Sequence, residues 1–303
     1  MNTQSRNESF DAQPIAPTVM QATRPFYWSV RRELWENRSI YIAPLAVTAV
    51  TLFGYMIASI GRALSLSDLA QRRTVLEEPL TFAMGVIMAI AFIVAIFYSL
   101  DALHGERRDR SILFWKSLPV SDLTTVLSKA SVPLLILPLF AFVLTVVTQF
   151  IMLLLSTLVL RGSGFSAATL WTQSGLLPMS LVLLYHLVTV HILWHAPIYG
   201  WLILVSGWAR RAAFLWAVVP PVAVCIVEKI AFNTTHFAAL LQDRFTGGPE
   251  ASTMPGRFPI NPMMLTHLSP GRFLTAPGLW IGLAVAAAFF VAAAQQRRYR
   301  GPI

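Results

Sequence analysis

Six long apolar blocks divide this chain, and their length restricts the folds that it can adopt more than any other feature. About 20 consecutive apolar residues wound as an α-helix cross the hydrocarbon core of a bilayer. Helices are favoured there because they satisfy their backbone N–H and C=O groups internally. We therefore predict an all-α polytopic membrane protein with six transmembrane helices, at 40–60, 80–100, 132–160, 178–205, 212–232 and 277–294.

The composition supports a membrane environment. Hydrophobic residues make up 56% of the 303 residues and charged residues only 12%, about half the share in a soluble domain. The net charge of +9 is spread over the segments between the apolar blocks, which favours the lipid bilayer over nucleic acid as a partner. Cys225 is the only cysteine, so the chain can form neither an internal disulfide nor a thiolate zinc site.

The distribution of basic residues predicts the orientation. Six spans place both termini on one side of the membrane, together with the segments 101–131 and 206–211. The termini and these two segments hold 15 of the 23 lysine and arginine residues. Because basic residues concentrate in cytoplasmic loops, we predict that both termini are cytoplasmic. The first forty residues do not form a signal peptide, and the first apolar block is long enough to be a retained span.

The transmembrane domain is predicted at 40–303. The 39 residues before it are predicted to form two parts. Residues 1–23 form a flexible cytoplasmic tail, and residues 24–39 form an amphipathic helix that lies in the membrane interface. In this helix Val30 and Leu34 are four residues apart and belong to an apolar stripe beside charged residues. An ordinary juxtamembrane anchor is the alternative.

Prolines mark irregular places in the later spans and in the outer loop. Pro197 predicts a kink in the fourth span, and the pair Pro220–Pro221 predicts a bend or break in the fifth. Residues 233–276 form an outer loop that is too rich in proline and glycine for one regular helix. This loop is either a plain connector or a segment that dips into the membrane surface.

The longest loop on the basic side carries a dense cluster of charge. Glu106 and Arg110 have the spacing and order of a favourable helical ion pair. An apolar run with Phe114 and Trp115 follows, and Ser121 is suited to cap the helix that enters the third span. Exposed aromatic side chains beside charges favour a surface that docks into a partner, with a solvated connector as the alternative.

The run from Tyr98 to Lys129, which contains Glu-Arg-Arg-Asp-Arg-Ser-Ile-Leu-Phe-Trp-Lys-Ser-Leu-Pro, resembles the loop after the second span in ABC-2 type transporter permeases of bacteria. The interfacial stretch, the six spans and the outer loop are similar to the same family, that of type V ABC exporters. The resemblance implies the membrane subunit of an ATP-driven exporter in the bacterial inner membrane, which moves a drug, a lipid or a hydrophobic peptide. It also implies a coupling loop at 101–131, with contact residues Gly105, Glu106, Arg107, Arg108, Asp109, Arg110, Phe114, Trp115, Lys116 and Pro119.

The resemblance further implies the partners of the chain. Two permease copies, or this chain and a related one, would pair with two cytoplasmic ATPase subunits that bind ATP and magnesium. The turn from Ser206 to Arg211 is a candidate second contact with the ATPase. A separate ATPase agrees with the residues, because none of the three lysines follows glycine and this chain therefore contains no P-loop. We expect no catalytic residue and no cofactor in the chain itself.

Polar residues inside the spans are candidates for lining a cavity, as intramembrane polar groups often do. They are Gln149 in the third span and His186, His191 and His195 in the fourth. His191 and His195 share a helix face, but no nearby carboxylate or thiol completes a metal site, so we predict none. Interhelical hydrogen bonding is the structural alternative. Two other functions stay open: a membrane-embedded lipid- or isoprenoid-modifying enzyme that uses these histidines, and a scaffold or sensor without an ATPase.

Overall fold

A computed structural model of the chain describes residues 23–63, 69–117, 120–159, 171, 175–248 and 269–300. Within these residues the secondary structure is helical and contains no strand. The predicted tail at 1–23 lies outside the described residues except for Thr23, where the first helix begins. Pro119 and residues 249–268 of the outer loop also lie outside them.

The α-helices of the described part are α1 Thr23–Glu36, α2 Ser39–Ala63, α3 Leu69–Asp101, α4 His104–Arg108, α5 Ile112–Lys116, α6 Asp122–Ser131, α7 Leu137–Val159, α8 Leu176–His186, α9 Ala196–Trp208, α10 Ala213–Phe232, α11 His236–Thr246, α12 Pro270–Thr275 and α13 Pro277–Tyr299. Two π-helical segments accompany them. Val132–Ile136 connects α6 with α7, and Leu187–Trp194 continues α8 toward α9.

Six helical stretches are long and apolar enough to cross a membrane, which confirms the predicted number of spans. Their bounds are Ser39–Ala58, Glu78–Arg108, Asp122–Leu158, Leu176–Trp194, Ala213–Phe232 and Pro277–Tyr299. A helix rises about 1.5 Å per residue, so the second and third stretches are longer than an apolar core of about 30 Å requires. We name the end of the bundle that carries α1 the termini side, and the opposite end the far side.

The third and fourth spans depart from their predicted bounds. The prediction begins the third span at 132, whereas α6, a π-helical segment and α7 form one continuous helix from Asp122. The fourth span, predicted as one element over 178–205, is divided at His195 between a π-helical segment and the short helix α9. Pro197 lies in the first turn of α9, where the missing N–H of proline is tolerated. The predicted irregularity is therefore the boundary between two helices.

The fifth span is one helix through its proline pair, so of the predicted bend or break the break does not occur. Pro220 and Pro221 lie within the single helix α10. A proline leaves the carbonyl four residues before it without a helical partner. For Pro221 this carbonyl belongs to Ala217, and the indole N–H of Trp201 donates to it at 3.0 Å. A hydrogen bond from the neighbouring helix α9 thus satisfies the polar group that proline exposes.

The core of the bundle is centred on α3 and α9. α3 packs against α2 and α7 around Ile87, and against α9 around Ala95 and Tyr199. α9 also packs closely along α13, where a Cβ added to Gly200 would lie 3.5 Å from the Cα of Ala286. Small residues of this kind allow the backbones of membrane helices to approach each other.

α1 packs against α6 with a charged side toward the protein and an aromatic side outward. Glu33 is completely buried, whereas Tyr27, Trp28 and Trp35 are more than half exposed. Arg31 lies over the rings of Trp28 and Trp35. Exposed aromatic rings are typical of a membrane interface. The interfacial position of α1 stays a prediction.

Candidate functional site

The loop between the second and third spans is folded into two short helices. α4 ends at Arg108, and Arg110 then adopts a left-handed conformation, with φ of 59°, as the chain turns into α5. Ser121 caps α6, as predicted, and accepts a hydrogen bond from the backbone N–H of Thr124 at 3.0 Å. The loop therefore offers defined surfaces on the termini side.

Glu106 in α4 is buried at the centre of a group of charged side chains. Its Oε1 lies 2.9 Å from a guanidinium nitrogen of Arg32 and 3.1 Å from Nζ of Lys129. Its Oε2 lies 3.5 Å from Nε of Arg297. Lys129 also donates a hydrogen bond to Glu33 at 2.8 Å. The carboxylate of Glu106 thereby connects α4 with α1, α6 and α13.

Three further contacts complete this group. Arg32 donates to Glu33 at 2.6 Å, and the hydroxyl of Tyr98 donates to the other oxygen of the same carboxylate at 2.8 Å. Arg297 donates a hydrogen bond to Asp122 at the start of α6. We define the ion cluster as three cations and three carboxylates: Arg32, Lys129, Arg297, Glu33, Glu106 and Asp122.

The ion cluster balances its charges, and this balance offsets the free-energy cost of burying them. Burial alone raises the pKa of Glu33, but the charges and hydrogen bonds of Lys129 and Arg32 outweigh burial. The pKa of Glu33 therefore lies below its ordinary value, and this carboxylate is ionised at neutral pH. Removing one member would leave another buried charge without compensation.

A second set of contacts fixes the loop to the end of α9. Arg107 donates to the carbonyl of Gly207 at 2.7 Å and to that of Ala209 at 3.3 Å. The backbone N–H of Leu103 donates to Oγ of Ser206 at 3.2 Å. Together with the ion cluster, these contacts connect the loop to the third, fourth and sixth spans.

The outward face of the loop is apolar at α5. Leu113 and Phe114 are 60% and 61% exposed. Phe114 packs edge-on against Trp115 with ring centroids 4.8 Å apart, and the guanidinium of Arg32 lies over the Trp115 ring at 4.0 Å. Trp115 therefore links the exposed face to the ion cluster beneath it.

The predicted coupling residues divide into an inward and an outward group. Glu106 and Arg107 are buried, and Gly105 is half-buried. The exposed ones are Arg108, Asp109, Arg110, Phe114 and Lys116. Pro119 lies outside the described residues. Since a partner can reach exposed side chains only, only the outward group is open to contact with one.

The helical ion pair predicted between Glu106 and Arg110 is wrong. Among the ion pairs of the described residues, Glu106 meets Arg32, Lys129 and Arg297. Arg110 is exposed and lies beyond the end of α4. Arg32 is 74 residues from Glu106 in the chain, so the local spacing does not reveal this pairing.

Two of the polar residues predicted to line a cavity lie apart from the others. Gln149 is buried and donates to the carbonyl of Leu80 at 3.3 Å. Nδ1 of His186 lies 2.9 Å from the carbonyl of Val182 in its own helix. The Gln149 contact joins two helices, as the structural alternative expects, whereas the His186 contact stays within one helix.

His191 and His195 lie together, with ring centroids 5.7 Å apart. Nε2 of His191 is 3.0 Å from the hydroxyl of Tyr199 and 3.4 Å from the carbonyl of Pro133, so it connects the two π-helical segments. His195 is buried, and neither ring nitrogen makes a hydrogen bond of normal geometry with the described residues, although the backbone of Phe245 lies close by. Within the described residues, no three potential ligand side chains converge on a metal position.

A buried arginine connects helices of the far side. Arg244 in α11 donates to the carbonyls of Trp194 and Gly278, and its guanidinium lies 4.2 Å from the centre of the Trp194 ring. A Cβ added to Gly282 would lie 2.5 Å from this guanidinium, so the guanidinium in its present position depends on the space that glycine leaves. Arg244 thereby joins α11 to the fourth and sixth spans.

The sequence alone does not indicate which residues complete the ion cluster. Arg32 and Glu33 belong to the predicted interfacial helix, and Arg297 to the end of the last span, far from the loop in the chain. Lys129 offers a signal, because a cation directly before a long apolar block requires a partner. Its partners nevertheless follow only from how the helices pack.

No protein-family model, curated protein or solved structure matches this chain. Its own helices define the class to which it belongs: a multi-pass α-helical membrane protein with a braced loop on the termini side.

Proposed function

We propose that this protein is the membrane subunit of an ATP-driven exporter of the ABC-2 type, and that its 101–131 loop receives the movement of a separate ATPase subunit. The observation that carries the proposal is the bracing of Glu106, a buried carboxylate of the loop that contacts three other parts of the bundle. A loop that only connected two spans would not require such bracing.

The ion cluster is suited to transmit a force from the loop to the spans. Glu106 contacts Lys129 in the helix that enters the third span and Arg297 at the end of the sixth. Pulling these groups apart would leave buried charges uncompensated, which costs more free energy than moving them together. A push on α4 or α5 would therefore tilt the third and sixth spans as one unit.

The exposed face of α5 is suited to receive that push. Phe114 and Leu113 would fill an apolar groove on the ATPase, where buried aromatic anchors contribute most of the binding free energy. The exposed charges of Arg108, Asp109 and Arg110 would fix the register of the contact. ATP and magnesium would bind to the ATPase, and a second permease copy or a related permease would complete the path of a drug, a lipid or a hydrophobic peptide.

The proposal is tested by purifying the tagged chain from the membranes of its source organism. We expect a soluble ATPase with a P-loop to co-purify in a near-equal amount and to hydrolyse ATP. Phe114→Ala should reduce the co-purified ATPase about tenfold or more, as expected for a central aromatic anchor. The matched control is Phe82→Ala, since Phe82 is 68% exposed and lies on α3 about five helical turns before the loop.

Two results would overturn the proposal. The first is a parent chain, purified intact, that carries no P-loop ATPase. The second is an equal amount of ATPase on the Phe114→Ala and Phe82→Ala variants, which would remove the loop as the contact.

The alternative of a lipid- or isoprenoid-modifying enzyme rests on the histidine pair. His195 is buried, neither of its ring nitrogens makes a hydrogen bond of normal geometry within the described residues, and His191 contacts the hydroxyl of Tyr199. This alternative predicts that His195→Ala abolishes a chemical conversion of lipid and leaves ATPase binding unchanged. The exporter predicts that no lipid is converted by the purified parent chain.

A further inference from the structure

The side of α1 that faces away from the bundle carries a stripe of aromatic rings with an arginine between them. Tyr27, Trp28 and Trp35 are more than half exposed, and Tyr27 packs edge-on against Trp28 with ring centroids 5.6 Å apart. The Arg31 guanidinium lies 5.1 Å from the centre of the Trp28 ring and 4.6 Å from that of Trp35. Residues three and four apart share a helix face, so these four residues form one surface, which we name the α1 stripe.

The charges of α1 are sorted between its two sides. Glu33 is completely buried in the ion cluster, and Glu36 pairs with Arg32 at 3.6 Å. Within the described residues no carboxylate pairs with Arg31 and no acceptor takes a hydrogen bond from it. A guanidinium has five N–H donors, so the described residues leave those of Arg31 available to an anion. The α1 stripe therefore presents a positive charge beside aromatic rings.

The place of the α1 stripe in the chain indicates which anion it meets. α1 ends at Glu36 and the first span begins at Ser39, so Trp35 precedes the span by four residues. An exposed tryptophan directly before a span marks the level of the lipid headgroups. Arg31 lies one helical turn before Trp35, about 6 Å along the axis, so its guanidinium is within reach of headgroup phosphates.

We propose that the α1 stripe docks onto the surface of an anionic lipid bilayer, with the Arg31 guanidinium on the lipid phosphates and the rings of Trp28 and Trp35 among the headgroups. The sequence predicts only that α1 lies at an interface, and the sorting of its charges adds the class of lipid. A zwitterionic headgroup carries its own cation, so it attracts Arg31 less than an anionic one. Arg32 and Glu33 hold the other side of the helix in the ion cluster, so α1 is fixed between the bundle and the lipid. The inference does not depend on the proposed export function.

The test measures amide hydrogen exchange of α1 in the full chain, in nanodiscs of dioleoylphosphatidylcholine with and without dioleoylphosphatidylglycerol. Helix amides exchange through local opening, and a docked α1 must first leave the lipid surface. We therefore expect phosphatidylglycerol to slow the exchange of α1 in the parent by about fivefold or more, since one arginine near an anionic surface contributes about 1 kcal/mol. Arg31→Gln should remove about fivefold of this slowing, whereas Arg31→Lys, which keeps the charge, should retain most of it.

Arg108→Gln is the matched control. The Arg108 side chain is 60% exposed on the same side of the bundle, but it lies 3.1 Å from Asp109 and 3.8 Å from Asp101. Its charge is therefore compensated within the protein. The variant removes the same net charge as Arg31→Gln and should leave the slowing by phosphatidylglycerol unchanged.

Three results would overturn the inference. Equal exchange of α1 in the two kinds of nanodisc would exclude a preference for anionic lipid in the parent itself. An equal loss of the slowing in Arg108→Gln would show that net charge alone acts. The same slowing by inorganic phosphate in nanodiscs of phosphatidylcholine alone would identify a site for free phosphate instead of a lipid surface.

Discussion

Buried charge occurs at both ends of this bundle, but the two ends satisfy it differently. On the termini side the ion cluster joins three cations to three carboxylates across α1, α4, α6 and α13. On the far side Arg244 contacts backbone carbonyls and the ring of Trp194. The ion cluster depends on the presence of every charged partner. The Arg244 site depends on room for the guanidinium, which neighbouring glycines leave.

The difference indicates how movement is passed between helices at each end of the bundle. Members of the ion cluster cannot separate without exposing a buried charge, so the elements that they join move together. Arg244 holds its partners through hydrogen bonds that any exposed carbonyl could accept, so its contacts can be exchanged at a smaller cost in free energy. We therefore expect the termini side to move as a rigid body and the far side to rearrange more easily.

The largest expected effect comes from breaking the ion cluster at its most buried cation. Lys129→Met removes one of the two cations that contact both Glu33 and Glu106, so the three carboxylates of the cluster keep only two cations, which should cost about 3–5 kcal/mol of unfolding free energy. Thermal unfolding in detergent, followed by size-exclusion chromatography, measures the loss. Lys116→Met is the control, because Lys116 is exposed and its hydrogen bonds within the described residues go to backbone carbonyls of α13 and the following residue. Similar losses in both variants would contradict the role of the cluster.

A smaller effect is expected from filling the space around Arg244. Gly282→Ala places a methyl group 2.5 Å from the guanidinium and should destabilise the protein by about 1–3 kcal/mol through overpacking. Gly54→Ala is the control, since no atom lies within 4 Å of its added Cβ and alanine is the better helix former. A loss that persists unchanged in the Gly282→Ala and Arg244→Met double variant would show that Arg244 is not the group displaced.

Removing the far-side cation should have a smaller effect than removing Lys129. Arg244→Met leaves no buried carboxylate behind, and methionine retains part of the apolar contact with Trp194. We expect a loss of about 1 kcal/mol, the net value of the hydrogen bonds removed. The same thermal measurement as for Lys129→Met provides a direct comparison. If Arg244→Met were as damaging as Lys129→Met, the distinction between paired and single buried charges would fail.

The smallest effect is expected from mild acidification. Burial raises the pKa of Glu33, but Lys129 and Arg32 lower it by a larger amount. The folded-state pKa of Glu33 therefore lies below the ordinary value of 4.5. Because this pKa is lowered, ionised Glu33 contributes its full share of the unfolding free energy above about pH 4.5. That contribution is lost as the pH falls through the folded-state pKa. The difference in melting temperature between the parent and Glu33→Gln should stay constant from about pH 8 to about pH 5 and narrow below that. Narrowing that begins near neutral pH would contradict this assignment.

The sequence predicts the spans well because their length and hydropathy are local properties. All six blocks are found as helices, and Ser121 is the cap that its residue type predicts. The prediction fails where a distant residue decides the outcome. Trp201 donates to the carbonyl that Pro221 leaves without a partner. Lys129 and Arg297, in place of the predicted Arg110, pair with Glu106. Such pairings depend on helix packing, which the spacing of residues in the chain does not encode.

The candidate site is predicted in position but not in internal arrangement. The charge density of the loop locates it, and the exposure of Phe114 agrees with the docking interpretation. The pattern does not distinguish the buried Arg107 from the exposed Arg108, because adjacent residues of the same type differ only in the direction that they face. Arg244 gives no signal in the sequence, since it is one of three arginines in the predicted outer loop at 233–276 and nothing in the pattern distinguishes it from Arg257 and Arg272.

The π-helical segment Val132–Ile136 determines which way the two ends of one long helix face. A π-helical turn holds one residue more than an α-helical turn, and one residue corresponds to about 100° of rotation around the axis. This extra residue lets the same helix present Lys129 to Glu33 at one end and Gln149 to the carbonyl of Leu80 at the other. A single-residue deletion here would restore a regular helix and turn one of these side chains away from its partner. The segment should therefore accept changes of residue type more readily than any change of length.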